Sequence, residues 1–202
     1  MGIAELVAPA VCGGCGRTGV SPCDACVGAM RPGGFVAGVE VCVVSAVRYE
    51  GVVRDLVAGV KFRGRRSALR WMADATAAAV AWADVEADLV TWVPASREGR
   101  RGRGFDQGRP LALAVGRRLD RPVVRLLRRS AAGHQVGLDR AGRSVSATRI
   151  VASGGAAERV RGAAVLVVDD VVTTGASMAA AARALLVCGA VDVRGAAFAH
   201  TP

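Results

Sequence analysis

The stretch from Ala163 to Gly189 constrains the rest of the chain. It opens with Ala163–Val168, a short apolar run rich in β-branched residues and without alternation. Such a run reads as a strand covered on both faces, as in a parallel sheet. Asp169 and Asp170 follow at the strand's carboxyl end, then a loop with Thr173, Thr174 and Gly175. The spacing predicts a helix capped by Ser177, running through Cys188 and stopped by Gly189.

Strand, paired acids, hydroxyl-rich loop and helix together make a chemically specific proposal. Ligands of open α/β sheets sit outside the carboxyl ends of the strands. A helix N-terminus presents free N–H groups and a positive dipole, both suited to a phosphate. Thr173, Thr174 and Ser177 add hydroxyl donors, and Gly175 allows close backbone approach. Ionised carboxylates only accept hydrogen bonds, so Asp169 and Asp170 suit a diol or a hydrated cation. A sugar phosphate satisfies both demands. The bland alternative is a buried strand and helix whose acids merely solvate a loop end. No Gly-Lys-Ser/Thr follows a glycine-rich run, which excludes a Walker-type nucleotide loop.

The 202 residues, 52% of them hydrophobic, suffice for one well-buried domain and a small appendage. No apolar stretch is long enough for a membrane span, and no basic region precedes the short apolar N-terminal stretch. The expected location is therefore the cytoplasm, where thiols stay reduced. Net charge is +10, which attracts polyanions such as nucleic acid or a multiply phosphorylated substrate. Every basic residue but Lys61 is arginine, in a chain rich in Ala and Gly. That pattern also fits coding bias, so the charge permits DNA binding without establishing it.

Residues 1–34 have a different texture: Cys12-Gly-Gly-Cys15 and Cys23-Asp-Ala-Cys26, with small and turn-forming residues between. Two C-x-x-C pairs can close a tetrahedral site, and metal can supply the folding energy that so small a core lacks. The competing readings are a redox pair or disulfides; a reducing compartment and the doubled spacing favour zinc. Four thiolates leave no open position, so the zinc would be structural. The expected division is residues 1–34 as a zinc module and 35–202 as the main domain. Cys42 and Cys188 read as buried core thiols, and His134 and His200 as isolated, with His200 in solvent.

Along the main domain, Val39–Tyr49 reads as a strand, half of a hairpin with the segment before it. Helices are predicted from Val52 to about Gly64 and from Ala68 to Trp82. Trp71, Trp82 and Trp92 are expected in core or rim packing. Leu89–Val93 reads as a strand ended by Pro94. The stretch Pro94, Ala95, Ser96 and onward through Arg101 and Arg103 alternates arginine with glycine. Placed after a strand's carboxyl end, it reads as a phosphate-handling loop, since guanidinium forks bind phosphate oxygens bidentately; the alternative is a solvated charged loop. Asp106 can cap a helix through Leu119, Val123–Leu127 reads as a short strand, and residues 128–162 as an irregular polar stretch, either a lid or disordered. Val191–His200 forms the last strand. Alternating strands and helices give an α/β class with a parallel or mixed sheet flanked by helices.

All thirteen positions from Val165 to Ser177 resemble the phosphoribosyl pyrophosphate (PRPP) motif of type I phosphoribosyltransferases. Further segments resemble the ComF family, linked to DNA uptake in competent bacteria, with GntX-type relatives. These are the four cysteines, Tyr49 with Gly51, Lys61-Phe62 with Gly64, Arg103-Gly104-Phe105-Asp106-Gln107, and Gln135, Leu138 and Arg143. Asp106 and Ser146 stand where that family usually has Asn. The resemblance implies a type I phosphoribosyltransferase-like fold with a mixed sheet edge and an N-terminal four-cysteine zinc module. It implies PRPP bound by Asp169, Asp170, Val171, Thr173, Thr174, Gly175, Ala176 and Ser177. Mg²⁺ would reach Asp169 and Asp170 through PRPP, and pyrophosphate would meet Pro94, Ala95, Ser96, Arg101 and Arg103. The implied activity is phosphoribosyl transfer to a base or amine, with residues 128–146 as part of a hood over the acceptor and no covalent catalytic residue assigned. The alternative is a non-enzymatic DNA-uptake factor that binds single-stranded DNA or docks a helicase-like partner. Neither reading involves a membrane, and both leave self-association open.

Overall fold

The structure, a computed structural model, describes residues 11–62, 67–95, 108–130 and 149–202. Five strands form one sheet in the order β1-β2-β7-β6-β3. These are β1 (Pro32–Phe35), β2 (Val43–Arg48), β3 (Leu89–Trp92), β6 (Ala164–Val172) and β7 (Asp192–His200). β1 pairs antiparallel with β2; every other pairing in this sheet is parallel. A separate antiparallel pair joins β4 (Leu127–Ser130) to β5 (Arg149–Ala152). The mixed α/β sheet expected from the alternation of elements is therefore present, with the hairpin supplying its antiparallel edge.

Helices α1 (Asp24–Gly28), α2 (Val52–Phe62), α3 (Ser67–Trp82), α4 (Gly108–Leu119), α5 (Ala156–Val160) and α6 (Ala176–Val187) connect the strands. α2, α3 and α4 cover one face of the sheet, burying Leu56, Met72, Leu111 and Phe198 around Leu166 and Val168. α5, α6 and the β4–β5 pair cover the other, where Val160, Met178 and Leu185 surround Val165 and Val167. The unbroken apolar run of β6 thus alternates between two cores, which is why it carries no polar residue before Asp169.

Several expectations need correction. β6 extends through Val172, so Asp169 and Asp170 lie within the strand's last turns of pleat instead of after it. The predicted strand Val123–Leu127 begins only at Leu127; Val123 makes a single parallel bridge to Val90. Within 128–162, β5 and α5 replace part of the irregular stretch, while residues 131–148, with Gln135, Leu138, Arg143 and Ser146, lie outside the described residues. Trp92 is buried and Trp71 packs edge-on against Phe198, but Trp82 is 67% exposed and leans on Phe35. Cys42 and Cys188 are half-buried. Among the described residues, no helix is long and apolar enough to cross a membrane.

Candidate functional site

Because β2, β7, β6 and β3 run parallel, their carboxyl ends share one edge. That edge gathers Tyr49, His200, Val172 and Pro94. Tyr49 donates its N–H to the His200 carbonyl (2.6 Å), and Thr201 donates to Val172 (2.9 Å). Val93 donates to the Val168 carbonyl (3.0 Å), which continues the β3–β6 ladder and sets Pro94 and Ala95 beside the two acids.

Asp169, Asp170 and Val171 are half-buried, while Thr173 and Thr174 are exposed. The Asp170 N–H donates to Asp169 Oδ1 at 2.8 Å, holding that carboxylate toward the strand's end. The turn that follows is closed locally, with the Ala176 N–H donating to Thr174 Oγ1 at 3.4 Å. Gly175, not Ser177, is the N-cap of α6; its φ of 71° is left-handed. A capping residue normally has extended backbone and a side-chain acceptor. Here the chain enters the helix through a left-handed residue, which leaves Ala176 and Ser177 in the first turn. At the other end, the helix closes at Val187 with Cys188 as its C-cap, and the left-handed Gly189 just beyond donates its N–H to the Leu186 carbonyl.

The structure thus brings together Pro94, Ala95, Asp169, Asp170, Val171 and the turn Thr173–Ser177. Ser96, Arg101 and Arg103, with Asp106, lie outside the described residues. One cation escaped the sequence reading as a member of this edge: Arg129. From β4 its Nε donates to the Pro94 carbonyl at 2.7 Å. Only the packing of β4 beside the end of β3 reveals this; in the sequence Arg129 is one arginine among many.

His200 also differs from expectation. It is half-buried at the end of β7, with Nδ1 2.6 Å from Ser45 Oγ. Burial first, and the nearby Arg48 charge second, hold its imidazole below the usual histidine range.

The second candidate site is the cysteine cluster. The Sγ atoms of Cys12, Cys15, Cys23 and Cys26 all lie within 4.8 Å of one another, with Cys12–Cys26 at 3.6 Å and Cys15–Cys23 at 3.7 Å. Tetrahedral thiolate ligation with bonds of about 2.3 Å requires sulfur separations near ~3.8 Å, so the four fit a zinc ion. All four are free thiols, which excludes the disulfide reading in this structure. Burial alone would raise the Cys12 thiol. The N–H groups of Cys15, Cys23 and Gly14 and the Cys26 side chain outweigh it, bringing Cys12 down to about 6. Burial pushes Cys26 strongly up, reinforced by hydrogen bonds with Cys23, Cys12 and Cys15. The cluster packs closely on α2: a side chain at Gly14 would collide with Val52 at the start of that helix and press on Cys26 Sγ.

Residues 106–202 match the family model described as phosphoribosyl transferase domain. No curated protein matches the chain. Among solved structures, the chain is similar to the glutamine phosphoribosylpyrophosphate amidotransferase from B. subtilis complexed with ADP and GMP. Identity is 23%, the TM-score 0.46, and the match covers 65% of this chain and 26% of that one. It is also similar to a structure of the allosteric regulatory enzyme of purine biosynthesis, at 22% identity and a TM-score of 0.42, covering 64% of this chain and 24% of that one. The chain spans about a quarter of the length of these proteins. The chain is thus an α/β protein with a mixed sheet flanked by helices; its residues 106–202, which carry β6, the Asp169–Ser177 edge and α6, match a phosphoribosyl transferase domain, and a four-cysteine cluster near its N-terminus is able to hold a metal such as zinc.

Proposed function

We propose that the chain binds PRPP with Mg²⁺ and transfers its phosphoribosyl group to a nitrogen acceptor, a base or an amine, releasing pyrophosphate. The observation that carries this reading is the placement of two half-buried acids on β6 directly before an exposed hydroxyl turn that opens a helix. The matched phosphoribosyl transferase domain supports it. On this reading the 5′-phosphate takes the free N–H groups at the start of α6 and the hydroxyls of Thr173, Thr174 and Ser177. Asp169 and Asp170 accept from the ribose hydroxyls, which fixes the sugar's rotation about the anchored phosphate. The acceptor nitrogen's lone pair forms the new bond at the anomeric carbon, and the proton that nitrogen then sheds passes to water. The carbon–oxygen bond to pyrophosphate breaks, and its electron pair leaves with pyrophosphate. Pro94, Ala95 and Arg129 stand on the side of that departing charge, and Ser96, Arg101 and Arg103, which lie outside the described residues, are the further groups that would offset it. Mg²⁺, an oxygen-seeking ion suited to carboxylates and phosphates, supplies further charge neutralisation when bound through PRPP near Asp169 and Asp170. The zinc of the cysteine cluster is structural, and the whole arrangement is of ComF type.

A thermal melt with Mg²⁺ and PRPP tests this. At about 100 times its dissociation constant a ligand adds roughly 2.7 kcal/mol, a clear rise in melting temperature. No shift at millimolar PRPP removes the substrate from the reading.

A further inference from the structure

The turn at Gly175 is not held by α6 alone. The loop between β1 and β2, residues 36–42, reaches across to it. A Cβ built on Gly175 would lie 2.5 Å and 2.6 Å from the two Cγ atoms of Val39. The Val39 isopropyl group therefore occupies the space a side chain at 175 would need, and it packs with the core under α6. The loop is fastened on both sides of this contact. Val36 donates to the Val43 carbonyl at 2.9 Å, closing the hairpin. Glu40 pairs with Arg183, two turns along the same helix.

We infer that Val39 is a positioning residue for the anion-binding turn: pressed against Gly175, it holds the left-handed entry into α6 and so keeps the Thr173–Ser177 donors aimed outward. Taking a phosphate ester as the anion rests on the function proposed above; the mechanical claim does not. A left-handed glycine is the most permissive backbone position in the chain. Without a neighbour filling the space beside it, the Thr174–Ala176 peptides gain alternative conformations, and an anion must then bear the entropy of ordering them. Val39 removes that freedom in advance. Glu40, through Arg183, holds the loop in register with the helix and has the smaller share.

The test uses the full chain and three variants: Val39→Ala, Val39→Ile and Glu40→Gln. Hydrogen exchange of the amides from 173 to 177 is measured without ligand, and PRPP/Mg²⁺ affinity by titration. Val39→Ala should speed exchange in the turn by about tenfold or more and weaken PRPP binding by a similar factor, with amides of β6 and β7 unchanged. Val39→Ile should restore both, and Glu40→Gln should give a smaller change in the same direction. Faster exchange in a protein that never binds PRPP upholds the positioning role and sinks the substrate. PRPP binding with turn exchange and affinity unaltered in Val39→Ala overturns the positioning role and leaves the substrate standing. A general rise in exchange across both core strands reduces Val39 to ordinary packing and also overturns it.

Discussion

The two candidate sites of this chain are held together in opposite ways. The cysteine cluster, Cys12 to Cys26, has among its described residues one short helix, α1, five residues long, and its sulfurs are gathered by tight turns, with Gly14 lying against α2. The Asp169–Ser177 edge sits on the central sheet, flanked by β7 and β3 and backed by two cores. The first has little apolar burial of its own and could draw its stability from a metal held by the four sulfurs; the second stands on strands packed between two cores. Losing a ligand should therefore unfold one site and merely empty the other.

The largest effect should come from removing metal. Structural zinc contributes apparent free energies of roughly 10–16 kcal/mol in small zinc-dependent folds. Chelation, or Cys12→Ser with Cys26→Ser, should abolish zinc content and lower the melting temperature by many degrees, since the module packs on α2. Zinc assay and calorimetry read both; an unchanged melt in zinc-free protein would erase the contrast between the two sites. Next is Gly175→Ala. A left-handed non-glycine residue costs about 1–3 kcal/mol, and overpacking against Val39 adds about 1–3 kcal/mol. Denaturant titration should show the loss, and Val39→Ala in the same chain should recover the overpacking part. Third, Asp169→Asn/Asp170→Asn should leave the unliganded melt close to the parent's while erasing the PRPP-dependent rise of roughly 2.7 kcal/mol. A fall in the unliganded melt as large as that of the cysteine variants would make the acids structural.

The smallest effect concerns pH. Folding lowers the His200 pKa below its ordinary value near ~6.5, so the native state favours the neutral ring. Its contribution is present above the unfolded pKa and is lost as pH falls through the folded one. Melting temperature should therefore decline from pH 7 toward pH 5 more steeply in the parent than in His200→Gln.

Much of this contrast could be read before the fold was known. The unbroken apolar run of β6 announces burial on both faces because β-branched residues without alternation suit little else. The threonines and glycine follow β6 at its carboxyl edge, with the acids inside its last residues instead of beyond them, and the two C-x-x-C pairs do converge. What escaped depends on contacts between distant segments. Ser177 looks like a cap by residue type, yet the close approach of Val39 selects a left-handed glycine two residues earlier. Arg129 joins the Pro94 edge only because β4 folds back beside β3. His200 seemed solvated from its position in the chain, but pairing of β7 between β2 and β6 brings it to Ser45. Trp82, expected in core or rim packing, is 67% exposed and meets Phe35 of the β1 edge, a contact that sequence does not show.

The strand order has a consequence for synthesis. β7 lies between β2 and β6, although both of these precede it in the chain. Until residues 192–200 emerge and insert, the β1–β2 hairpin has no partner on its inner side and β6 can pair only with β3. Each incomplete half exposes apolar strand edges that invite association with other chains. Assembly of the sheet is thus postponed until after its last strand is made, and a nascent chain of this protein should depend on whatever shields such edges at the ribosome.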